Sequence, residues 1–207
     1  MSKIISIVNQ KGGVGKTTTA VNLSSIVASM GYKTLLIDID PQANACLGIG
    51  VTRDKMEYGI YDILIGEADI EQVIIETYQE NLYLIPSDSD LVGAQIELVG
   101  EIGREYKLKK AIEKIRNDYD YIFIDCPPTL GILTLNALTA CDSVLIPIQC
   151  EFYALDGVGE LNNTISLVKE NLNQNLEIEG VLLTMYDGRT NLSNDVVREV
   201  VNYFKDK

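Results

Sequence analysis

The chain has 207 residues, 46% of them apolar and 23% charged, enough for one domain with a substantial core and too apolar for a disordered chain. It contains no histidine, which excludes Ser-His-Asp and Cys-His chemistry and any histidine-ligated metal, so reactivity must rest on Lys, Asp, backbone N–H groups and a borrowed metal ion. A formal net charge of -13 excludes a surface that attracts nucleic acid over its whole extent; a DNA contact must be local.

The chain opens on an apolar run that turns polar at Asn9, too short for a signal peptide, and no later stretch is long enough to span a bilayer, so the expectation is a cytoplasmic protein without a membrane partner. Short β-branched runs then alternate with helical patterns, the mark of a parallel sheet covered by helices. Strands are expected at residues 4–8, 34–37, 82–85, 121–124, 144–148 and 180–183, with helices at 17–30, about 95–117, 130–139, 157–171 and 193–204. The first helix carries Ala20, Leu23, Val27 and Met30 at three- and four-residue steps, one apolar face for the sheet. Between residues 48 and 90 the pattern is weakest, and 57–65 and 70–76 read as short helices. No repeat, linker or low-complexity tract divides the chain. Cys46, Cys126, Cys141 and Cys150 form no C-x-x-C pair and read as small buried apolar residues rather than a zinc knot or disulfide framework.

The strongest chemical signal follows the first strand: Asn9-Gln10-Lys11-Gly12-Gly13-Val14-Gly15-Lys16-Thr17-Thr18. Glycines let the backbone curl with its N–H groups inward, and the start of the helix adds its positive end, which makes a cavity for phosphate. Lys16 can reach β and γ phosphates and the Thr17 hydroxyl is placed to ligate Mg²⁺. Gln10 stands where the standard motif has its first glycine, and Lys11 is an added cation. A lysine ahead of the loop cannot easily fold back onto phosphates that Lys16 already holds, so it is free to approach nucleotide on a facing subunit. Next, the apolar strand Leu35-Leu36-Ile37-Asp38-Ile39-Asp40 ends in two carboxylates that alternation sends to one side, at the sheet edge where α/β folds bind ligands. Asp38 either assists near Mg²⁺ or caps a backbone turn. The run Tyr121-Ile122-Phe123-Ile124-Asp125 has the shape of a Walker B strand, with Asp125 expected to hold the water shell of Mg²⁺. Val144 to Glu151 reads from spacing alone as core strand and loop.

Taken together, K-G-G-x-G-K-T-T at residues 11–18, D-x-D-P-Q at 38–42 and D-x-P-P at 125–128 resemble the deviant Walker A ATPases, most closely the ParA/Soj family. That resemblance covers the whole chain and implies a single-domain α/β P-loop NTPase with a mostly parallel central sheet flanked by helices. It implies ATP and Mg²⁺ as cofactors, bound by Lys11, Gly12, Gly13, Val14, Gly15, Lys16, Thr17, Thr18 and Met185, with Thr17 and Asp125 serving the metal. By the same resemblance Lys11 completes the active site across an ATP sandwich dimer, and Asp40 orients the attacking water. The block around Glu151 is similar to one that supports γ-phosphate sensing, and residues 183–193 are similar to the Soj-like members. The implied function is chromosome or plasmid partition: an ATP-dependent homodimer binds DNA without sequence preference, is nucleoid-associated, and is stimulated by a ParB-type partner. Family members normally continue beyond the helix near Phe204 with a segment that helps close the adenine site, so residues 1–207 are expected to form the ATPase domain without it.

Alternatives within the superfamily are a MinD-like division ATPase, which expects S-G-K-G-G where this chain has Asn9-Gln10-Lys11-Gly12-Gly13, and an electron-transfer ATPase resembling the nitrogenase iron protein, which would use Cys126 and Cys141. A metabolic ligase of the dethiobiotin synthetase kind shares the fold but gives no reason for Lys11. For DNA the expected contacts are Arg189, Arg198 and Lys205. From Thr184 onward four basic residues (those three and Lys207) balance four acidic ones (Asp187, Asp195, Glu199, Asp206), and Arg198 and Lys205 share a helix face. Lys107, Lys109, Lys110, Lys114 and Arg116 form a rival basic patch.

Overall fold

The computed structural model describes residues 2–52 and 56–205; Asp206 and Lys207, counted above in the charge of the C-terminal end, lie outside them. The β-branched runs form strands β1 (Lys3–Ile7), β2 (Thr34–Asp38), β3 (Ile75–Glu76), β4 (Leu82–Ile85), β5 (Tyr121–Asp125), β6 (Ser143–Gln149) and β7 (Glu177–Thr184). These make one sheet in the order β3-β4-β2-β5-β1-β6-β7, parallel except for β3, which pairs antiparallel with β4 at the edge. Strand alternation splits the core in two. Ile4, Leu35, Ile37, Ile122 and Ile124 face one side, and Ile5, Ile7, Leu36, Leu84 and Phe123 the other. Both sides are covered by helices, which is why the central strands read as unbroken apolar runs rather than alternating ones.

Helix α1 (Lys16–Ser29) and the short α2 (Asn44–Ile49) cover the second side. The first is covered by α3 (Ile60–Ile65), α4 (Ile70–Val73), α5 (Leu91–Glu97), α6 (Lys107–Ile115), α7 (Ile132–Ala140), α8 (Val158–Asn171) and α9 (Asn191–Phe204). Of the expected apolar face of α1, Ala20 is buried and Leu23 and Val27 pack half-buried against this core, while Met30 is corrected to exposed; the fully buried stripe is Lys16, Ala20, Ser24 and Ala28. The small side chains of Ala20, Ser24 and Ala28 at four-residue steps let this helix lie close to the strands.

The single helix expected over 95–117 is broken. It starts earlier, at Leu91, passes through a 3₁₀ turn at Leu98–Gly100 and a second at Arg104–Tyr106, and resumes as α6. Glu101 is extended and ends the first stretch, and Gly103, at φ +69°, is the N-cap from which the second 3₁₀ turn starts. Apolar periodicity ran on across the break because Val92, Ile96, Val99 and Ile102 are apolar yet exposed. Likewise the helix expected at 70–76 stops at Val73, Ile74 is extended, and the next two residues become β3. Helix α2 had no place in the sequence reading.

This topology sets the site. Register places Ile7 beside Asp125 and Asp125 beside Asp38, so the loops that follow β1, β2 and β5 leave the sheet side by side at its carboxyl edge. The crossover from β1 to β2 leaves a slot that β5 later fills, and the strand order turns at β1, the usual place for a ligand crevice in an open α/β sheet.

Candidate nucleotide site

The glycine-rich loop between β1 and α1 is braced at both ends. Buried Asn9 donates from Nδ2 to the Pro147 carbonyl at 2.7 Å and accepts from the Lys11 N–H at 2.9 Å, tying the loop entrance to β6. At the far end the Thr184 hydroxyl, from the end of β7, donates to the Val14 carbonyl at 2.8 Å. Gly13 and Gly15 have φ of +77° and +89°, so side chains at these positions would strain the curl. Lys16 is the first residue of the 14-residue α1, whose unpaired N–H groups and positive end face the loop. Its ammonium donates to the Lys11 carbonyl at 3.1 Å, spanning the mouth that a phosphate would enter. Burial lowers the Lys16 pKa, and the nearby Asp125 and Asp40 carboxylates pull in the other direction.

Asp125, at the end of β5, is fully buried, and neither of its carboxylate oxygens has a hydrogen-bond partner. Its pKa is pushed up to about 7, first by burial and then by Asp38, with the neighbouring Thr17 hydroxyl and Lys16 working against the rise. Thr17 is near enough to ease the charge, but it does not satisfy the carboxylate geometrically. A buried acid left this way is costly unless something polar arrives. Among the described residues no group of three or more Cys, Asp or Glu could hold a metal ion. The residues present therefore fit a cation that brings waters and phosphate oxygens as most of its ligands, as Mg²⁺ does, and do not fit an all-protein cage.

Asp38 resolves toward the capping alternative. Its Oδ1 accepts from the Asp40 N–H at 3.1 Å, and its Oδ2 accepts from the Ala45 and Cys46 N–H groups at 3.0 and 3.1 Å and from the Cys46 thiol at 3.3 Å, which fixes the start of α2. Burial still raises its pKa to about 6. Asp40 is oriented rather than consumed: Oδ1 accepts from the Gln42 N–H at 2.9 Å, and its carbonyl accepts from the Ser87 hydroxyl at 2.8 Å.

A cavity of about 450 Å³ gathers Gly12, Gly13, Gly15, Lys16, Thr17, Thr18, Asp40 and Met185 on its walls. It also takes in Gln42, Asn44 and Pro128, which sequence reasoning gave no role although all three stand inside or beside the motifs. Val14 is not on the wall; it is buried behind the loop. Lys11 is also elsewhere. It lines a neighbouring cavity with Gln10, Thr129 and Tyr153, and its Nζ pairs with Glu151 Oε1 at 2.6 Å. A larger space of about 550 Å³ between α8 and the start of β7, lined by Asn162, Lys169 and Glu177 among others, contains no glycine loop and none of the motif acids.

Two of the three expected DNA contacts are partly neutralised by neighbouring acids. Arg189 is highly exposed and forks onto Asp187, with Nε to Oδ1 at 2.9 Å and Nη2 to Oδ2 at 2.7 Å. Arg198 pairs with Asp195 at 3.4 Å, and exposed Lys205 follows the last turn of α9. In the rival patch Lys107 and Lys114 are paired with Glu101 and Asp69. Cys126 and Cys141 are buried, and burial drives both thiols up, Cys141 to about 12, so neither presents a thiolate to a facing subunit. No helix among the described residues is long and apolar enough to cross a membrane.

Residues 2–178 match the model of an AAA domain family. The chain is 57% identical over 207 residues to the sporulation initiation inhibitor protein Soj of Bacillus subtilis, covering all of this chain and 82% of that protein. Among solved structures, cobyrinic acid a,c-diamide synthase from Mycobacterium smegmatis with a bound ATP analogue and magnesium superposes with a TM-score of 0.94 at 40% identity, over 98% of this chain and 82% of that one. A plasmid partition protein from Borrelia burgdorferi superposes with a TM-score of 0.81 at 32% identity, over 100% of this chain and 86% of that one.

Proposed function

Because this chain belongs to the Soj/ParA family of chromosome-partitioning ATPases, we propose that it binds and hydrolyses Mg-ATP as a partition protein whose loaded form pairs face to face with a second copy. The observation that carries this reading is the separation of the two loop lysines. Lys16 lines the cavity of the glycine loop, while Lys11 lines a different one and pairs its ammonium with Glu151. A lone nucleotide site has no use for the second cation; a site shared by two copies does.

Within one subunit, Lys16 and the backbone N–H groups from Gly12 to Thr18 hold the phosphates, with Lys16 giving up its bond to the Lys11 carbonyl as phosphate enters. Thr17 and Asp125 are the residues that would hold Mg²⁺, which when bound would supply positive charge beside the phosphates. Asp40, held by Gln42 and Ser87, aligns the attacking water, and Met185 borders the nucleotide. The loaded dimer brings two copies of Arg189, Arg198 and Lys205 together, giving local positive charge that the acidic monomer lacks, and so binds DNA without sequence preference on the nucleoid. A ParB-type partner stimulates turnover and resets the cycle.

Light scattering with a non-hydrolysable ATP analogue tests the central claim. The parent should double in mass with nucleotide, and Lys11→Ala should bind nucleotide yet stay monomeric; a normally dimerising Lys11→Ala refutes the shared site. Turnover that depends on a small carboxylic acid rather than on DNA and partner would instead favour an amide-forming enzyme, as the name of the Mycobacterium smegmatis relative suggests.

A further inference from the structure

The glycine loop owes its curl to two residues without side chains, and a side chain from a distant strand holds its middle. Gly13 and Gly15 are left-handed, at φ +77° and +89°, and Val14 between them is buried. Glycines move freely between conformations, so a curl built on two of them needs an outside tie. Thr184 supplies it. Its hydroxyl donates to the Val14 carbonyl at 2.8 Å, across 170 positions of sequence, and its methyl lies 3.5 Å from where a Cβ on Gly15 would stand. Thr184 is itself anchored, because its carbonyl accepts from the Cys150 N–H at 3.0 Å and it pairs with Gln149 of β6 at the end of β7. The next residue, Met185, holds φ +53°, a conformation uncommon outside glycine, and lines the cavity of the loop. Beyond it the Tyr186 hydroxyl bonds Asn194 Oδ1 of α9 at 3.0 Å.

We propose that Thr184 is a positioning residue for the nucleotide: its hydroxyl fixes the curl of the phosphate loop and, through the strained Met185 beside it, sets a second wall of the same cavity. This rests on the nucleotide site proposed above. Two groups of the side chain could act, and they predict opposite orders. If the methyl acts, by packing on Gly15, valine replaces threonine well and serine badly. If the hydroxyl acts, serine serves and valine does not, because valine keeps the shape but takes this donor from the Val14 carbonyl. The geometry favours the hydroxyl: 2.8 Å is a full hydrogen bond, whereas the methyl faces a position where Gly15 has no side chain to pack. A loop without its tie must be ordered by the ligand, and affinity falls by that cost. A strained residue also persists only while its surroundings hold it, so loosening Thr184 releases the Met185 wall as well.

Calorimetry with magnesium and a non-hydrolysable ATP analogue, beside amide hydrogen exchange of the ligand-free protein, separates the two cases. Thr184→Val should bind the analogue about three- to tenfold more weakly, the worth of one hydrogen bond, and exchange the amides of the glycine loop faster by a similar factor. Thr184→Ser should match the parent in both. Met185→Gly relieves the left-handed strain and removes the wall; joined to Thr184→Val it should cost less than the two separate losses combined, because each loosens the same wall. Thr184→Val binding as tightly as the parent, or Thr184→Ser binding as weakly as Thr184→Val, overturns the role of the hydroxyl. Unaltered exchange in Thr184→Val overturns the tie to the loop, and additive losses in the double variant overturn the link to Met185. Should valine prevent folding, serine decides alone: affinity about threefold or more below the parent overturns the role of the hydroxyl. A parent that binds no analogue overturns the nucleotide reading and the role of Thr184 with it, whereas a binding parent with indifferent Thr184 variants overturns the latter only.

Discussion

Replacing Asp125 by Asn should make the ligand-free protein more stable while weakening its hold on Mg-ATP. The carboxylate is fully buried with both oxygens unpartnered, and burial pushes its pKa up to about 7 from the 3.8 ordinary for an aspartate. At roughly 1.4 kcal/mol per pKa unit, keeping this group ionised in the folded chain costs up to about 4 kcal/mol. Asn removes the charge but leaves a buried amide that also lacks partners, so we halve the gain to about 2 kcal/mol. For a chain of this size that is a rise of roughly 4–8 °C in melting temperature. The sign with pH follows from linkage. The folded carboxyl binds its proton more tightly than the unfolded one, so the parent loses stability as pH rises from about 4 to about 7, and Asn removes the share of that loss due to Asp125, leaving the one due to Asp38 common to both proteins. Thermal melts of both proteins without nucleotide should therefore differ most above pH 7 and converge near pH 4. With Mg-ATP added at pH 7.5 the order should reverse, because only the parent gains much from the ligand. An Asn variant that melts below the parent at pH 7.5 without ligand, or a gain equal at pH 4.5 and 7.5, would refute the reasoning.

Lys16→Ala should weaken nucleotide binding by roughly ten- to a hundredfold in calorimetry, since the cation inside the loop makes charge-assisted bonds to phosphate; unchanged affinity would remove the phosphate assignment. Asp40→Ala should retain nucleotide and dimerise, but hydrolyse roughly 10²–10⁴ times more slowly in single-turnover assays, because water positioning acts mainly in the transition state. Arg189→Ala should lower ATP-dependent DNA binding a few-fold and reduce its salt slope by about one per contact, read by filter binding at several salt concentrations. Its fork onto Asp187 means that Asp187→Asn should strengthen the same binding; equal curves for parent and Arg189→Ala would exclude this contact.

Features that depend on near neighbours along the chain are legible in the residues alone. Strand-loop-helix order at residues 3–29, the glycines at Gly13 and Gly15 and the paired acids after β2 are local statements, and a β-branched run ending in Asp125 is legible because a doubly covered strand must be apolar to its last residue. Features that depend on which group sits opposite are set by the assembled fold. Exposed Val92, Ile96 and Val99 carry a helical period without being core, so the break before α6, where Glu101 turns extended and Gly103 starts a new turn, was invisible to periodicity. Asp38 and Asp40 are two residues apart with the same side chain, yet one caps α2 and the other lines the cavity; the difference is the presence of the Ala45 and Cys46 N–H groups, supplied by a helix the pattern did not mark. Nor does anything near Lys11 in sequence announce Glu151, because their meeting depends on β6 lying next to β1, and strand order is a property of the whole sheet rather than of any segment in it.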